Sequence, residues 1–361
     1  MGVLKNLLVE KLRPYRPILA VVVACQAVQA VLGLCLPTLN ADIINKGVAR
    51  GDTGYIHRMG AIMIVITFGQ VLFSVLAVRG GSRTAMAFGR DVRSDLFHQV
   101  NSFSAKELNR FGSPSLITRI TNDVTQVQMF VLMTCTLLLS APFTAFAGVA
   151  LAIHQDAGLS WVIVVAIPVV TFILGNIVAR MVPTFRSMQE KIDRINEILR
   201  EQLTGMRVVR AFVREPEEIA RFTEANGTLT STALRGGRLQ GLMFPTVTLI
   251  VNASCVAVVW IGAGRVESGA SRIGSLLAFL TYLIQILMSV MMATFMAAMW
   301  PRAAVSAERI VEVLATETSV VVAVEPRTDV AERATLRFRD VGFNYPGAAE
   351  PVLRDVNFDL G

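Results

Sequence analysis

Three features of the sequence predict an all-α polytopic membrane protein that ends in the first strands of an α/β domain. Six apolar runs are each long enough to cross a bilayer. Two charged stretches of helical character, one after the second run and one after the fourth, extend well beyond any membrane thickness. From about Thr335 the apolar period changes from helical to alternating, which is the mark of strands. The composition agrees, since 53% hydrophobic against 17% charged residues is not the balance of a soluble domain.

The chain opens with MGVLKNLLVEKLRPYRP (1–17), whose apolar residues recur at helical spacing opposite Lys5, Lys11, Arg13 and Arg16. This predicts an interfacial helix on the inner membrane surface. The first span runs from Ile18 to about Ile44, with Pro37, Asn40 and Asp42 near the far interface. It starts too late and runs too long for the core of a cleavable signal peptide. A loop, GVARGDTGYIHR, returns to a second span near Ala61–Val78. The helical pattern then continues into the cytoplasm through Arg79, Arg83, Arg90, Arg93, Lys106 and Arg110. Gly112 and Pro114 reverse the chain, and spans follow at about Val131–Ile153 and Trp161–Ala179.

A second cytoplasmic excursion covers residues 180–238 and contains GMRVVRAFVREPEEIARF (205–222). Pro216 interrupts the helical pattern, and Glu217 and Glu218 begin a new first turn, where carboxylates suit the positive end of a helix dipole. Two helices meeting at a short turn are expected there; a plain solvated connection is the other reading of such a charge run. The last spans lie at about Leu242–Ala263 and Ile273–Trp300, and the helix continues to about Ala315. The transmembrane domain is therefore 18–315, followed by a Thr-, Pro- and charge-rich linker over 316–334 and a strand-forming segment over 335–361. Five of the 34 Lys and Arg residues (Lys46, Arg50, Arg58, Arg265 and Arg272) fall in proposed outer loops, which places both ends in the cytoplasm.

The net charge of +7 flanks the apolar runs and has no aromatic interleaving, so it reads as a topology determinant and not as a nucleic-acid surface. Cys25, Cys35, Cys135 and Cys255 lie in apolar stretches without short pairing, and His57, His98 and His154 are scattered. Neither a disulfide framework nor a metal site is indicated. No Ser/His/Asp set or paired carboxylates point to a catalytic centre, so no catalytic residue is assigned.

Polar residues inside spans are costly and therefore candidates for a substrate cavity. Gln26 and Gln29 share a face of the first span, Asn176 lies in the fourth, Asn252 in the fifth and Gln285 in the sixth. Gln285, Ser289, Met292, Met296 and Met299 form one helical stripe, open to two readings: an adaptable cavity lining or ordinary helix packing. The middle of the spans carries no acidic or basic residue, which favours a lipophilic or amphipathic substrate over an ion.

Three stretches together carry a family resemblance: FGSPSLITRITNDV (111–124), GMRVVRAFVREPEEIARF (205–222) and LRFRDVGFNYPGAAEPVLRDVNFDLG (336–361). In order and spacing the chain resembles a half-transporter of the ATP-binding-cassette (ABC) exporter type. The resemblance implies coupling helices at the two cytoplasmic tips, around Phe111, Gly112 and Ser113 and around Phe212, Arg214, Glu215 and Pro216, which dock on nucleotide-binding domains. It gives Phe212 the role of an apolar knob reaching the partner subunit, where the residue alone could equally be a bundle contact. It makes Tyr345 the ring that stacks on adenine, where spacing alone reads as core packing. It also implies ATP and Mg2+ as cofactors, a second half-transporter of like or unlike kind as partner, and a bacterial cytoplasmic membrane as the location.

Of the motifs that hold phosphate and magnesium, the 361 residues contain none, neither GxxxxGK[ST] nor a signature loop, and the family places the phosphate loop within about fifteen residues past Gly361. The function implied is ATP-driven transport of a lipophilic or amphipathic substrate, export being the family habit. A nucleotide-gated channel or membrane regulator, or a non-hydrolysing partner subunit, is the alternative; a continuous polar pore stripe would favour the channel.

Overall fold

The structure, a computed structural model, describes residues 2–320, 335–345 and 349–361. Most of the expected linker and the turn at Pro346 and Gly347 lie outside them. The described chain forms two compact units. One comprises Met1–Asn101 with Phe111–Thr316, and the other Ser102–Arg110 with Glu317–Gly361.

The first unit is helical. Its six runs long and apolar enough to cross a membrane are Arg13–Arg50, Thr53–Asn101, Ser113–Gln155, Ser160–Ala211, Glu215–Glu267 and Ile273–Leu314. They correspond to the six spans read from the sequence. Their helices are α2 (Arg16–Asp42), α3 (Thr53–Asn101), α5 (Ser113–Thr118), α6 (Val124–Met133), α7 (Ser140–Gln155), α8 (Ser160–Ala211), α9 (Glu215–Glu267) and α10 (Ile273–Leu314), with α1 (Gly2–Lys11) before them; α4 (Ala105–Phe111), between α3 and α5 in sequence, falls in the second unit but for its last residue. The expected loop of twelve residues after the first span is much shorter. Only Gly51, at φ +69°, and Asp52 are non-helical, because Asp52 Oδ1 accepts a 2.9 Å hydrogen bond from the Tyr55 amide and starts α3 early.

Three π-helical turns interrupt the spans, at Ile43–Gly47, Arg119–Asp123 and Thr134–Leu138. Such turns disturb the carbonyl ladder and need outside partners. At the third, the Gln26 amide donates to Cys135 O (3.1 Å) and Thr136 O (3.2 Å).

The core runs where α10 meets α2, α7, α8 and α9. Tyr282 is fully buried at its centre, its hydroxyl donating to Leu34 O at 2.8 Å and lying 2.5 Å from Thr38 Oγ1. Small residues let helices approach: a Cβ on Gly274 would lie 2.4 Å from Ala41 O, and the Gly274 amide instead donates to Asn45 Oδ1 at 2.9 Å. Outward faces remain apolar, with Phe68, Phe172 and Trp260 exposed, as a bilayer permits and water does not. The first helix packs on the rest of this unit. Leu4 and Leu7 are buried against protein, and Lys11 pairs with Asp95 at 2.9 Å while Tyr15 donates to Asp91 at 2.5 Å.

In the second unit, β1 (Leu336–Phe343) and β2 (Leu353–Leu360) pair antiparallel, with Leu336 opposite Leu360 and Phe338 opposite Phe358. The strands are those read from the alternating pattern. Register shifts on either side of Val341 accompany the left-handed Asp340, whose amide and carboxylate both bond to Asn357. None of the strand residues is buried.

At the turn between α7 and α8, Asp156 is 2% exposed in its side chain and 2.9 Å from Arg265 Nη2. It also accepts from Arg265 Nε at 3.1 Å and from the Gly158 amide at 2.8 Å. Burial raises its pKa, but the hydrogen bonds from Arg265 and Ser271 outweigh that and hold it below the ordinary 3.8. A depressed carboxylate pKa stabilises the fold above the ordinary value, and that contribution is lost as pH falls through the lower folded value. Asp156→Asn should therefore cost about 2 kcal/mol at neutral pH, solvent at Arg265 relieving part of the penalty for a broken pair. Thermal unfolding in detergent measures it, and the difference from wild type should shrink as pH drops below 3.8.

Candidate functional site: two helical tips and a cleft

The second tip folds as the sequence suggests, two helices joined by a short turn. The stretch expected to be a coupling helix is divided between the end of α8, the turn Phe212–Val213–Arg214 and the first turn of α9. Arg214 N bonds back to Val209 O at 3.0 Å and Val213 takes φ +53°, a left-handed value that strains a β-branched residue. Pro216 sits in the first turn of α9 with Glu215, Glu217 and Glu218, and Arg214 pairs with Glu217 at 2.8 Å. Phe212 is 73% exposed, which removes the bundle-contact reading within this chain and leaves the ring free for a partner surface.

The first tip is tighter. Gly112 takes φ +75°, which favours glycine, and its carbonyl accepts from the Ser115 and Leu116 amides to start α5. Ser113 is exposed and Phe111 half-buried, its ring 4.9 Å from the Arg119 guanidinium. Arg119 then reaches the last helix, donating to Arg309 O and to Glu312 Oε2, each at 2.7 Å. One turn on, Asp123 accepts from the Ser306 hydroxyl at 3.1 Å, and Arg309 Nε lies 3.2 Å from its other oxygen. The sequence reading missed this clamp, although both residues lie in FGSPSLITRITNDV.

The reading also missed why α4 forms. In the second unit Ser104 and Glu107 make an S-x-x-E capping box, with the Glu107 carboxylate taking the Ser104 hydroxyl at 2.5 Å and its amide at 2.9 Å. The Ser104 hydroxyl is the main reason that Glu107 has a pKa of about 2.

The polar residues expected to line one cavity are not gathered into one. Gln26 is 1% exposed and spent on the Cys135 and Thr136 carbonyls, so it is structural. Met296 is 1% exposed in the packed interior and Ser289 is buried, whereas Met292 is exposed and Gln285 and Met299 are half-buried, so the stripe on α10 does not share one environment. Gln29 is half-buried, and Asn176 and Asn252 are exposed on α8 and α9. Gln285 lines a cleft of about 520 Å³ between α2, α3 and α10 that it shares with Asn40 and Gln70, while Ser289 borders a separate cavity with residues of α7.

Tyr345, just beyond β1, is 60% exposed and set against Phe343 in a T-shaped contact at 4.9 Å. That exposure suits a ring that stacks on a planar ligand. No group of three or more His, Cys, Asp or Glu that could hold a metal occurs among the described residues, and Mg2+ is assigned no ligand within them.

Comparison with known proteins decides the family. The family model for the ABC transporter transmembrane region matches residues 19–290. The chain belongs to that family. It is 46% identical over 97% of its length to an uncharacterized ABC transporter ATP-binding protein of Mycobacterium tuberculosis, covering 60% of that protein. It is 25% identical over its full length to an ATP-dependent lipid A-core flippase of Syntrophus aciditrophicus, covering 59% of it. A multidrug efflux ATP-binding/permease protein of M. tuberculosis is 24% identical over 91% of the chain and 27% of its own length. The chain thus spans about 60% of the first two of these relatives. It is an integral, multi-pass membrane protein with the exporter-type half-transporter fold.

The clamp yields a prediction for this ABC membrane region. Arg119→Gln and Glu312→Gln should each lower the thermal midpoint, and their double-mutant cycle should return a coupling of about 1 kcal/mol, since Glu312 is half in solvent. Additive effects would show that the pair contributes nothing.

Proposed function

We propose that this chain is the membrane half of an ATP-driven ABC transporter subunit that moves a lipophilic or amphipathic substrate across the bacterial cytoplasmic membrane by alternating access, in the export direction. The carrying observation is the exposed Phe212 at the end of two continuous helices of 52 and 53 residues. At 1.5 Å per residue each is nearly 80 Å long, against roughly 30 Å of hydrocarbon, so more than half projects from the membrane. A stiff projection of that length is a lever, and a bare aromatic at its tip is what a groove on a nucleotide-binding domain would grip.

In this reading both termini are cytoplasmic and a second half-transporter, like or unlike, completes the cavity. The tips at Phe111–Gly112–Ser113 and at Phe212, Arg214, Glu215 and Pro216 receive the closure of two nucleotide-binding domains. ATP binds the closed state better than the open one, and that difference in affinity drives the change of access. Tyr345 supplies an aromatic face to the adenine; when bound, ATP with Mg2+ would supply the hydrolysis that resets the cycle. Relatives named as a lipid A-core flippase and a multidrug efflux protein support an amphipathic substrate.

The test uses the full-length subunit in nanodiscs. Phe212→Ala should leave basal ATP hydrolysis intact and abolish its stimulation by an amphipathic substrate; wild-type stimulation would remove the coupling role. Tyr345→Ala should weaken ATP binding by roughly tenfold, the value of about one stacked ring pair, and unchanged affinity would return that ring to packing.

A further inference from the structure

The cleft between α2, α3 and α10 has a chemistry that the fold does not use. Asn40, Gln70 and Gln285 bring three side-chain amides to it, and among the described residues none of the three has a hydrogen-bond partner. For Gln70 and Gln285, both half-buried within spans, an unpaired amide is costly, because lipid offers neither donor nor acceptor. Gln26 on the same α2 helix, by comparison, donates its amide nitrogen to two carbonyls.

A backbone acceptor joins them. Pro37 lies inside α2 and has no N–H, so the carbonyl four residues before it, on Gly33, lacks its helical donor, and both residues line the cleft. Gly33 also makes room: a Cβ there would lie 3.0 Å from Gln70 Nε2.

The lining contains no Asp, Glu, Lys or Arg, so a charged group entering it would find no counter-ion. Met63 is shared with a second cavity of about 270 Å³ along α3, lined by Ile64, Thr67, Phe68 and Val71 and almost wholly apolar. A cleft that carries uncharged polar groups thus adjoins an apolar groove at one flexible methionine.

We propose that this cleft holds the uncharged, hydroxyl- or amide-bearing headgroup of an amphipathic ligand whose apolar part lies along Met63–Val71 of α3. The assignment rests on the reading of the protein as a carrier of amphipaths and narrows it: neutral headgroups are accepted and anionic ones refused. A neutral glycolipid and a free uncharged amphiphile share this chemistry, and the ligand's two sources are separable by experiment.

The full-length subunit in nanodiscs, without nucleotide, is photolabelled with three diazirine probes: a glucosyl diacylglycerol, a phosphatidylglycerol with the same chains, and an alkyl glucoside. Labelled peptides are mapped by mass spectrometry. The glycolipid should label residues 63–71 at least tenfold more than phosphatidylglycerol, and unlabelled glycolipid should compete while phosphatidylglycerol does not. Strong labelling by the alkyl glucoside together with weak labelling by the glycolipid would support the site and assign it to free amphiphiles. Gln70→Leu with Gln285→Leu should reduce labelling by the preferred probe about tenfold, as expected for two lost hydrogen bonds.

Competition on the wild type decides the matter even if that variant fails to fold. Equal labelling by neutral and anionic probes, or crosslinks at 63–71 only between two copies of the chain, would overturn the proposal. ATP-driven uptake of an amphipath into vesicles is scored separately, so loss of the neutral preference with uptake retained rejects the cleft and not the transporter.

Discussion

Arg119 and Asp123 tie the first tip to the helix that leads, in sequence, toward the strand-forming segment. Both lie on one π-helical turn, whose wider pitch presents them to α10 together. Arg119 spans the Arg309 carbonyl and the Glu312 carboxylate, Asp123 faces Ser306 and Arg309, and Phe111 covers the guanidinium from the tip side. With Arg119 and Asp123 largely buried, separating α5 from α10 would take two charges away from their hydrogen-bonded and ionic partners. That cost makes the first tip and the end of α10 one rigid piece.

Among the described residues the second tip has no such tie. Residues 180–238 of α8 and α9 pack mainly on each other, braced by pairs such as Arg221 with Glu201 at 2.6 Å. The two tips therefore differ mechanically. One is locked to the last helix; the other is a long two-helix arm ending in an exposed aromatic and a strained turn. A transporter that converts closure at its cytoplasmic end into movement in the membrane needs both, a fixed contact to set the reference and an arm to carry the displacement.

Some of this was legible from residues alone because the physics is local. A bilayer demands long uninterrupted apolar segments, and these are visible as such. Pro216 followed by Glu217 and Glu218 marks a helix start wherever it occurs, and the alternation after Thr335 has only one regular backbone that suits it. What the sequence hid depends on distant partners. Gln26 looked like a cavity residue because nothing nearby reveals that a π turn more than a hundred residues away would need its amide. Met296 fell on a plausible stripe, but α10 is enclosed on most of its circumference, so helical spacing could not tell lining from packing. Gln70 carried the same signal as Gln285, a polar residue inside a span, and was passed over; its significance comes from Gly33 and Pro37 across the cleft.

The most direct test of this account is the distance between the first tip and α10 during the nucleotide cycle. Spin labels at Ser113 and Glu308, both exposed, would be placed in the full-length subunit in nanodiscs and measured without nucleotide and under ATP turnover. A rigid clamp predicts one unshifted distance distribution, while a second pair at Ser113 and Glu217 on the two tips changes. A shift between Ser113 and Glu308 as large as that between the tips would show that the clamp opens, and the division into a fixed tip and a moving arm would fail.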